Sequence, residues 1–121
     1  MTLEKLPIPL TVCKLPDLSQ VPPDLSFFFL SVTDQELSLV CPTAETPAVT
    51  AAREDGWRGF RVRGELDFSL VGVLAGLTRV LADQGIGLFA VSTFNTDYIL
   101  VKEGNFVRAE AALSAAGYAV V

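Results

Sequence analysis

The chain has 121 residues, of which 50% are hydrophobic and 19% are charged. It is long enough for one ordinary domain, or for two very small ones that share a core, and too apolar to be disordered. A net charge of -5 and a pI of about 4.5 disfavour nucleic acids and anionic membrane surfaces as partners.

The absence of histidine excludes several kinds of chemistry. Neither a Ser-His-Asp nor a Cys-His nucleophile system can be assembled, and zinc and iron sites lose their usual ligand. No glycine-rich phosphate-binding motif is present. Cys13 and Cys41 fall in predicted strands without C-x-x-C spacing, which favours buried, reduced thiols over a redox pair. We therefore expect no catalytic residue, no metal site and no cofactor.

The chain contains no apolar stretch of membrane-spanning length. Its first residues lack the basic cluster and long apolar run of a signal peptide. These features predict a cytoplasmic protein that neither crosses nor binds a membrane.

In the N-terminal half, the pattern predicts a strand at residues 8–15 and a hairpin of residues 27–33 and 36–41. Prolines after the first strand prevent a long helix there. Residues 47–54 are predicted to form a short helix, with Thr46 as its cap. The three phenylalanines at residues 27–29 predict a strand buried on both faces, with an exposed interface as the alternative.

The C-terminal half begins with alternating apolar and charged residues at 60–66, which predict a half-buried strand. Leucines three and four apart predict an amphipathic helix over residues 68–84, with Asp67 as its N-cap. Residues 86–94 and 97–102 are predicted strands joined by a turn.

A second predicted helix follows residues 104–105 and ends at Gly117, and residues 118–121 form a final strand. The order is strand, helix, strand, strand, helix, strand. This order predicts an α+β, ferredoxin-like (βαββαβ) fold.

That topology gathers the end of the first strand, the start of the first helix and the 93–96 turn at one edge of the sheet. Free N–H groups at the helix start favour an α-carboxylate. Asp97 is positioned to accept from an ammonium or a guanidinium group. Thr93 and Thr96 are candidates to orient the ligand, and Phe94 is a candidate apolar wall. Asp97 is equally well suited to making the turn itself.

Three segments of the C-terminal half resemble the ACT domain family. They are WRGFRV at residues 57–62, GELDFSLVG at residues 64–72 and GIGLFAVSTFNTDYILV at residues 85–101. The most specific part is S-T-x-x-T-D-[YF]-x-L-V. The chain is similar to small bacterial proteins with two ACT-like halves, and to the ACT domains of eukaryotic cytosolic arginine sensors.

The resemblance implies a degenerate ACT-like half at residues 1–56 and an ACT domain at residues 57–121. It also implies an amino-acid-binding regulatory role, with any regulated partner being a separate protein. The ligand-binding residues that it implies lie on the loop and first helix and on the hairpin. They are Asp67, Phe68, Ser69, Leu70, Gly72, Thr93, Phe94 and Asp97.

The leading interpretation is a non-catalytic amino-acid sensor. The first alternative is a ligand-free dimerisation or protein-interaction module of the same fold. The second is a small enzyme, which the absence of histidine and of clustered acids disfavours. We also expect a homodimer, because exposed edge strands invite pairing.

Overall fold

A computed structural model describes all residues of the chain, 1–121, as eight strands and two α-helices. The strands are β1 (Thr2–Lys5), β2 (Leu10–Lys14), β3 (Phe29–Val32), β4 (Leu37–Pro42), β5 (Ala52–Val62), β6 (Phe89–Ser92), β7 (Asp97–Lys102) and β8 (Ala119–Val120). The helices are α1 (Val73–Asp83) and α2 (Phe106–Ala115). The chain divides into two units: an N-terminal unit, Ile8–Trp57, and a C-terminal unit that joins Met1–Pro7 to Arg58–Val121.

The C-terminal unit has the predicted ferredoxin-like order of elements: β5, α1, β6, β7, α2 and β8. Its strands lie in the order β6-β7-β5-β1-β8. Strand β1 was not expected here. It lies antiparallel to β5, with Leu3 opposite Val62, and parallel to β8, with Leu3 opposite Val120. Strand β1 therefore lies between β5 and β8, which are neighbours in the predicted ferredoxin-like order. Its side chain Leu3 is buried.

The core of the C-terminal unit lies between the two helices and one face of the sheet. Leu77 and Leu81 of α1 pack in one cluster with Leu113 of α2 and with Phe60 of β5. The Phe60 ring stacks on Phe106, with 4.8 Å between the ring centroids. The apolar spacing in the sequence therefore predicted the buried face of α1 correctly.

The predicted start of α1 was wrong, because the helix begins at Val73 and not near Phe68. The Asp67 carboxylate accepts a hydrogen bond from the Ser69 N–H at 2.8 Å, and its carbonyl accepts from the Leu70 N–H at 3.0 Å. These bonds close a separate turn. Gly72, with φ of 83°, then occupies the N-cap position that had been expected for Asp67.

In the N-terminal unit the strands lie in the order β3-β4-β2-β5. This unit contains two 3₁₀ turns, Leu18–Gln20 and Thr43–Glu45, and no α-helix. The predicted helix at residues 47–54 was wrong. The Ala51 N–H instead donates to the Lys14 carbonyl at 2.8 Å, and the chain continues as β5 beside β2. An eight-residue helix is marginal by itself, so pairing with β2 prevails.

The three phenylalanines were also predicted incorrectly, since they do not form a strand buried on both faces. Phe28 is 45% exposed, and only Phe29 belongs to β3. β3 is the last strand in the sheet order and pairs with β4 alone, so one of its edges stays open.

Strand β5 contributes to both units. Its residues pair with β2 up to Trp57, and with β1 from Phe60 onwards. The division into halves at residues 1–56 and 57–121 stays a prediction. Cys13 and Cys41 are free and buried, and burial raises the pKa of both thiols. No helix has both the length and the apolar character required to cross a membrane.

The core packing generates a stability prediction. Leu81→Ala removes a side chain that is fully buried between α1 and the sheet. We expect the free energy of unfolding to fall by about 2–5 kcal/mol, because lost burial and a cavity add together. Denaturant titration followed by circular dichroism measures it. Val107→Ala, on the exposed side of α2, is the matched control and should change it by less than about 0.5 kcal/mol.

Candidate ligand-binding cleft

A cleft of about 290 Å³ lies in the C-terminal unit, where the segment after β5, the start of α1 and the turn between β6 and β7 meet. Its volume is near the lower end of the range for small-molecule sites, about 300–1,000 Å³. It is lined by Leu66, Asp67, Phe68, Leu70, Gly72, Val73, Leu74, Ala75, Ser92, Thr93, Phe94, Asn95, Thr96 and Asp97. The structure thus brings together all of the eight predicted residues except Ser69.

Two hydrogen bonds hold the β6–β7 turn against the end of β5. The buried Thr96 hydroxyl donates to the Val62 carbonyl at 2.7 Å. The Leu66 N–H donates to the Asn95 carbonyl at 2.6 Å. The Thr96 hydroxyl, expected from the sequence to orient a ligand, is therefore occupied within the protein.

The same turn is closed internally by Thr93. Its N–H donates to the Thr96 carbonyl at 2.8 Å, and its hydroxyl donates to that carbonyl at 3.1 Å. The Thr93 side chain is thus engaged in the turn, although the residue lines the cleft. The backbone of the turn is fixed by these internal bonds and by the two bonds to Val62 and Leu66.

Two carboxylates of the cleft are held in different ways. Asp97 accepts a 2.6 Å hydrogen bond from the hydroxyl of Ser92, its partner across the β6–β7 hairpin. Asp67 accepts from the backbone N–H and the hydroxyl of Ser69, which lower the pKa of its carboxyl group. Asp67 is therefore ionised at neutral pH and is bound to its own turn. Ser69 is used in that turn and does not line the cleft.

The first turn of α1 faces the cleft through Val73, Leu74 and Ala75. No side chain caps this end of the helix, because glycine occupies the N-cap position. Helix starts leave backbone N–H groups without intrahelical partners, and these groups carry partial positive charge. This end of α1 can therefore hold a carboxylate.

An exposed aromatic pair stands at the cleft. Phe68 and Phe94 meet edge to face, with ring centroids 5.0 Å apart and an interplanar angle of 88°. They are 75% and 80% exposed. Phe94, the candidate apolar wall of the sequence analysis, thus offers apolar surface to solvent. The rings provide a wall for the side chain of a bound molecule.

The lining includes two aspartates and no lysine or arginine. Its only positive potential comes from backbone N–H groups, so the cleft is suited to a ligand that brings its own cation. No three His, Cys, Asp or Glu side chains lie close enough together to hold a metal ion.

The sequence interpretation missed Ser92 and the apolar residues of the first turn of α1. Ser92 could have been found from hairpin register, because it pairs directly with Asp97 across the turn. The first turn of α1 was missed because the helix was expected to begin five residues earlier.

A family model of the ACT domain matches residues 52–115, more than half of the chain. The chain belongs to the ACT domain family. The matched range runs from β5 to the end of α2, so every residue that lines the cleft lies within the ACT match. No curated protein matches the chain.

Solved structures share the fold of this ACT protein. Protein Atu0741 from Agobacterium tumefaciens is 28% identical, with a TM-score of 0.87 over 99% of this chain and 91% of that one. VC0802 from Vibrio cholerae, described as a protein of unknown function and possible transport protein, is 18% identical, with a TM-score of 0.71 over 93% and 86%. The allosteric aspartate kinase of Clostridium acetobutylicum is 12% identical, with a TM-score of 0.65 over 92% of this chain and 32% of the kinase.

The turn geometry generates a second prediction. Thr96→Val keeps the shape of the side chain and removes the donor to the Val62 carbonyl. We expect a loss of about 1–3 kcal/mol in the free energy of unfolding, because that carbonyl loses a buried partner. Thr78→Val removes a hydroxyl that donates to its own helix at 3.1 Å near the surface, and should cost much less. Equal effects of the two changes would contradict this role for Thr96.

Proposed function

We propose that this ACT protein binds a free α-amino acid in the cleft and acts as a regulatory sensor without catalytic activity. The single observation that carries the proposal is the cleft itself, which combines a carboxylate, an uncapped helix start and an exposed aromatic pair. ACT domains are regulatory ligand-binding modules, and the cleft lies inside the matched region.

The two charged ends of an α-amino acid match these two features. The first-turn N–H groups of α1 receive the α-carboxylate. The Asp97 carboxylate, which accepts a hydrogen bond from the uncharged Ser92 hydroxyl, receives the ammonium group. The rings of Phe68 and Phe94 then cover the ligand's side chain. Asp67 contributes negative potential but is not assigned a contact with the ligand, because its carboxylate already accepts hydrogen bonds from Ser69.

We propose that the sensor acts on a separate protein. The aspartate kinase with the same fold is an allosteric enzyme, and this chain spans only 32% of its length. The comparison supports a regulatory use of the fold. We place the sensor in the cytoplasm, in keeping with two free, buried thiols, and propose that it is a homodimer.

We further propose that the chain consists of two ACT-like halves, at residues 1–56 and 57–121. The hairpin β3–β4 lies beside β2, and the hairpin β6–β7 lies beside β5, as a ferredoxin-like plan requires of the first strand of each half. Residues 33–36 and 93–96 form the same turn: the N–H of each first threonine donates to the carbonyl of the fourth residue, at 3.0 and 2.8 Å. The 3₁₀ turns at residues 43–45 and 103–105 follow at the same spacing of sixty residues.

A second repeated feature follows the first strand of each half. Asp17 accepts a hydrogen bond from the Ser19 N–H at 2.9 Å, as Asp67 accepts from the Ser69 N–H at 2.8 Å. The sequence Asp-Leu-Ser thus corresponds to Asp-Phe-Ser. The N-terminal half keeps these turns, but no α-helix follows either of them.

A thermal-unfolding screen of the purified protein against each proteinogenic amino acid tests the sensor proposal. A ligand at about a hundred times its dissociation constant adds roughly 2.7 kcal/mol of stability. We expect one or two amino acids to raise the melting temperature by about 4 °C or more. The absence of a shift with all of them at millimolar concentrations would instead favour the ligand-free interaction module.

The amino acid identified in this way is then titrated against Asp97→Asn by calorimetry. The amide keeps an oxygen for the Ser92 hydroxyl and removes the charge, so we expect the dissociation constant to rise about tenfold or more. Asp83→Asn makes the same charge change at the exposed end of α1 and should leave affinity unchanged. Equal affinities of the Asp97 and Asp83 variants would rule out the proposed ammonium contact.

Calorimetry also tests the stoichiometry. Leu37 stands in the N-terminal half at the position that corresponds to Asp97, and no α-helix lies between β2 and β3. The N-terminal half therefore lacks both the carboxylate and the helix start. We expect one amino acid per chain. Two equivalent sites per chain would contradict this assignment.

A further inference from the structure

The N-terminal unit has an apolar strand with a neighbour on only one of its edges. β3 pairs with β4 and is the terminal strand of its sheet. Phe28, Leu30 and Val32 alternate along this segment and are 45%, 38% and 60% exposed. Because alternate residues of a strand share a face, these side chains form one apolar face that is open to solvent.

The hairpin closure determines which backbone groups face the open edge. The Thr33 N–H donates to the Glu36 carbonyl at 3.0 Å, so these two residues form a hydrogen-bonded pair. Hydrogen-bonded and non-hydrogen-bonded pairs alternate along an antiparallel ladder. The next residue, Val32, therefore occupies a non-hydrogen-bonded position, and so does Leu30. Their N–H and C=O groups point away from β4.

The partner strand agrees with this assignment. Leu37, opposite Val32, has its carbonyl bound to the Leu15 N–H at 2.9 Å, on the side away from β3. The backbone groups of Leu30 and Val32 are therefore directed to the free edge.

The open edge carries none of the chemistry that usually prevents strand addition. Residues 25–33 include no charged side chain and no proline. Edge strands of soluble proteins are normally protected by lysine, proline, bulges or a covering element. An uncharged strand with high β-propensity pairs readily with another such strand. The free edge of β3 is therefore suited to pairing with a further strand.

We propose that β3 pairs with β3 of a second copy of the chain, antiparallel about a twofold axis at Leu30. In this register Leu30 faces its own symmetry mate, and Phe28 faces Val32 of the other copy, twice. Aromatic and β-branched residues are favourable cross-strand partners. A net charge of -5 makes two copies repel each other over most of their surface. The uncharged segment brings no like charges together, which favours a second copy over a charged partner.

This pairing gives the homodimer of the proposed function its interface and does not depend on amino-acid binding. Disulfide trapping tests the register. In Leu30→Cys the two introduced cysteines face each other with Cα atoms about 5.5 Å apart, within disulfide range. In Val32→Cys the two cysteines lie four residues apart along the strand, about 14 Å, and cannot be joined. Both native cysteines are buried in the unmodified chain, which serves as the background control.

After mild oxidation at micromolar concentration, we expect a covalent dimer of Leu30→Cys on a non-reducing gel, with at least about tenfold less for Val32→Cys. Equal trapping of the two variants, or none in Leu30→Cys, would overturn the proposed pairing. Each variant is first compared with the unmodified protein by circular dichroism, so that misfolding is recognised.

Sedimentation velocity tests the proposed interface and the proposed homodimer separately. The unmodified chain is expected to be a dimer. Leu30→Lys places two like charges on the axis and should raise the dimer dissociation constant about tenfold or more. Val107→Lys adds the same charge on an exposed face of α2 and should not change it. A dimer that persists in Leu30→Lys would overturn only this interface, and a monomeric unmodified chain would overturn the homodimer as well.

Discussion

The hydrogen bond from the Thr96 hydroxyl to the Val62 carbonyl fixes the position of the β6–β7 turn, on which the cleft depends. It joins the β6–β7 turn to the last residue of β5, and the bond from the Leu66 N–H to the Asn95 carbonyl extends this attachment. The segment that follows must then return across the cleft to reach α1. Without this attachment, the turn would have only its own internal bonds to hold it beside the helix. The carboxylate, the helix start and the aromatic pair could not then keep one relative geometry.

Much of the fold of the C-terminal unit could be predicted because its apolar residues follow simple periods. The leucines of α1 and the alternation before it determined which residues are buried, and the structure confirmed them in one cluster. Non-local pairing could not be predicted in this way. Strand β1 lies between β5 and β8, more than fifty residues away in sequence, and no local pattern contains that information. For the same reason the segment at residues 47–54 was mistaken for a helix, although its last residues, from Ala51 onwards, bond to β2.

The position of the cleft could be predicted from the sequence, but the role of each side chain could not. Topology places the end of one strand, a helix start and a hairpin turn at the same sheet edge, and seven of the eight residues implied by the ACT resemblance line the cleft there. What each side chain does depends on single hydrogen bonds. Thr96 and Ser69 have the same hydroxyl chemistry as Ser92, but Thr96 points into the protein and Ser69 closes a turn. The sequence gives no signal for these directions, which follow from backbone geometry at Gly72 and the turn.

The two units differ in what covers their sheets. In the C-terminal unit, α1 and α2 cover one face of the sheet, and eleven buried residues form its core. The N-terminal unit has no α-helix, and one of its buried clusters consists of Cys13, Leu15, Leu39 and Cys41. A sheet without helices has less apolar surface to bury internally, so its stability depends more on strand pairing. An additional strand at the free edge of β3 would supply further backbone hydrogen bonds and apolar contacts. The absence of helices from this unit and the uncharged edge of β3 therefore both favour strand pairing.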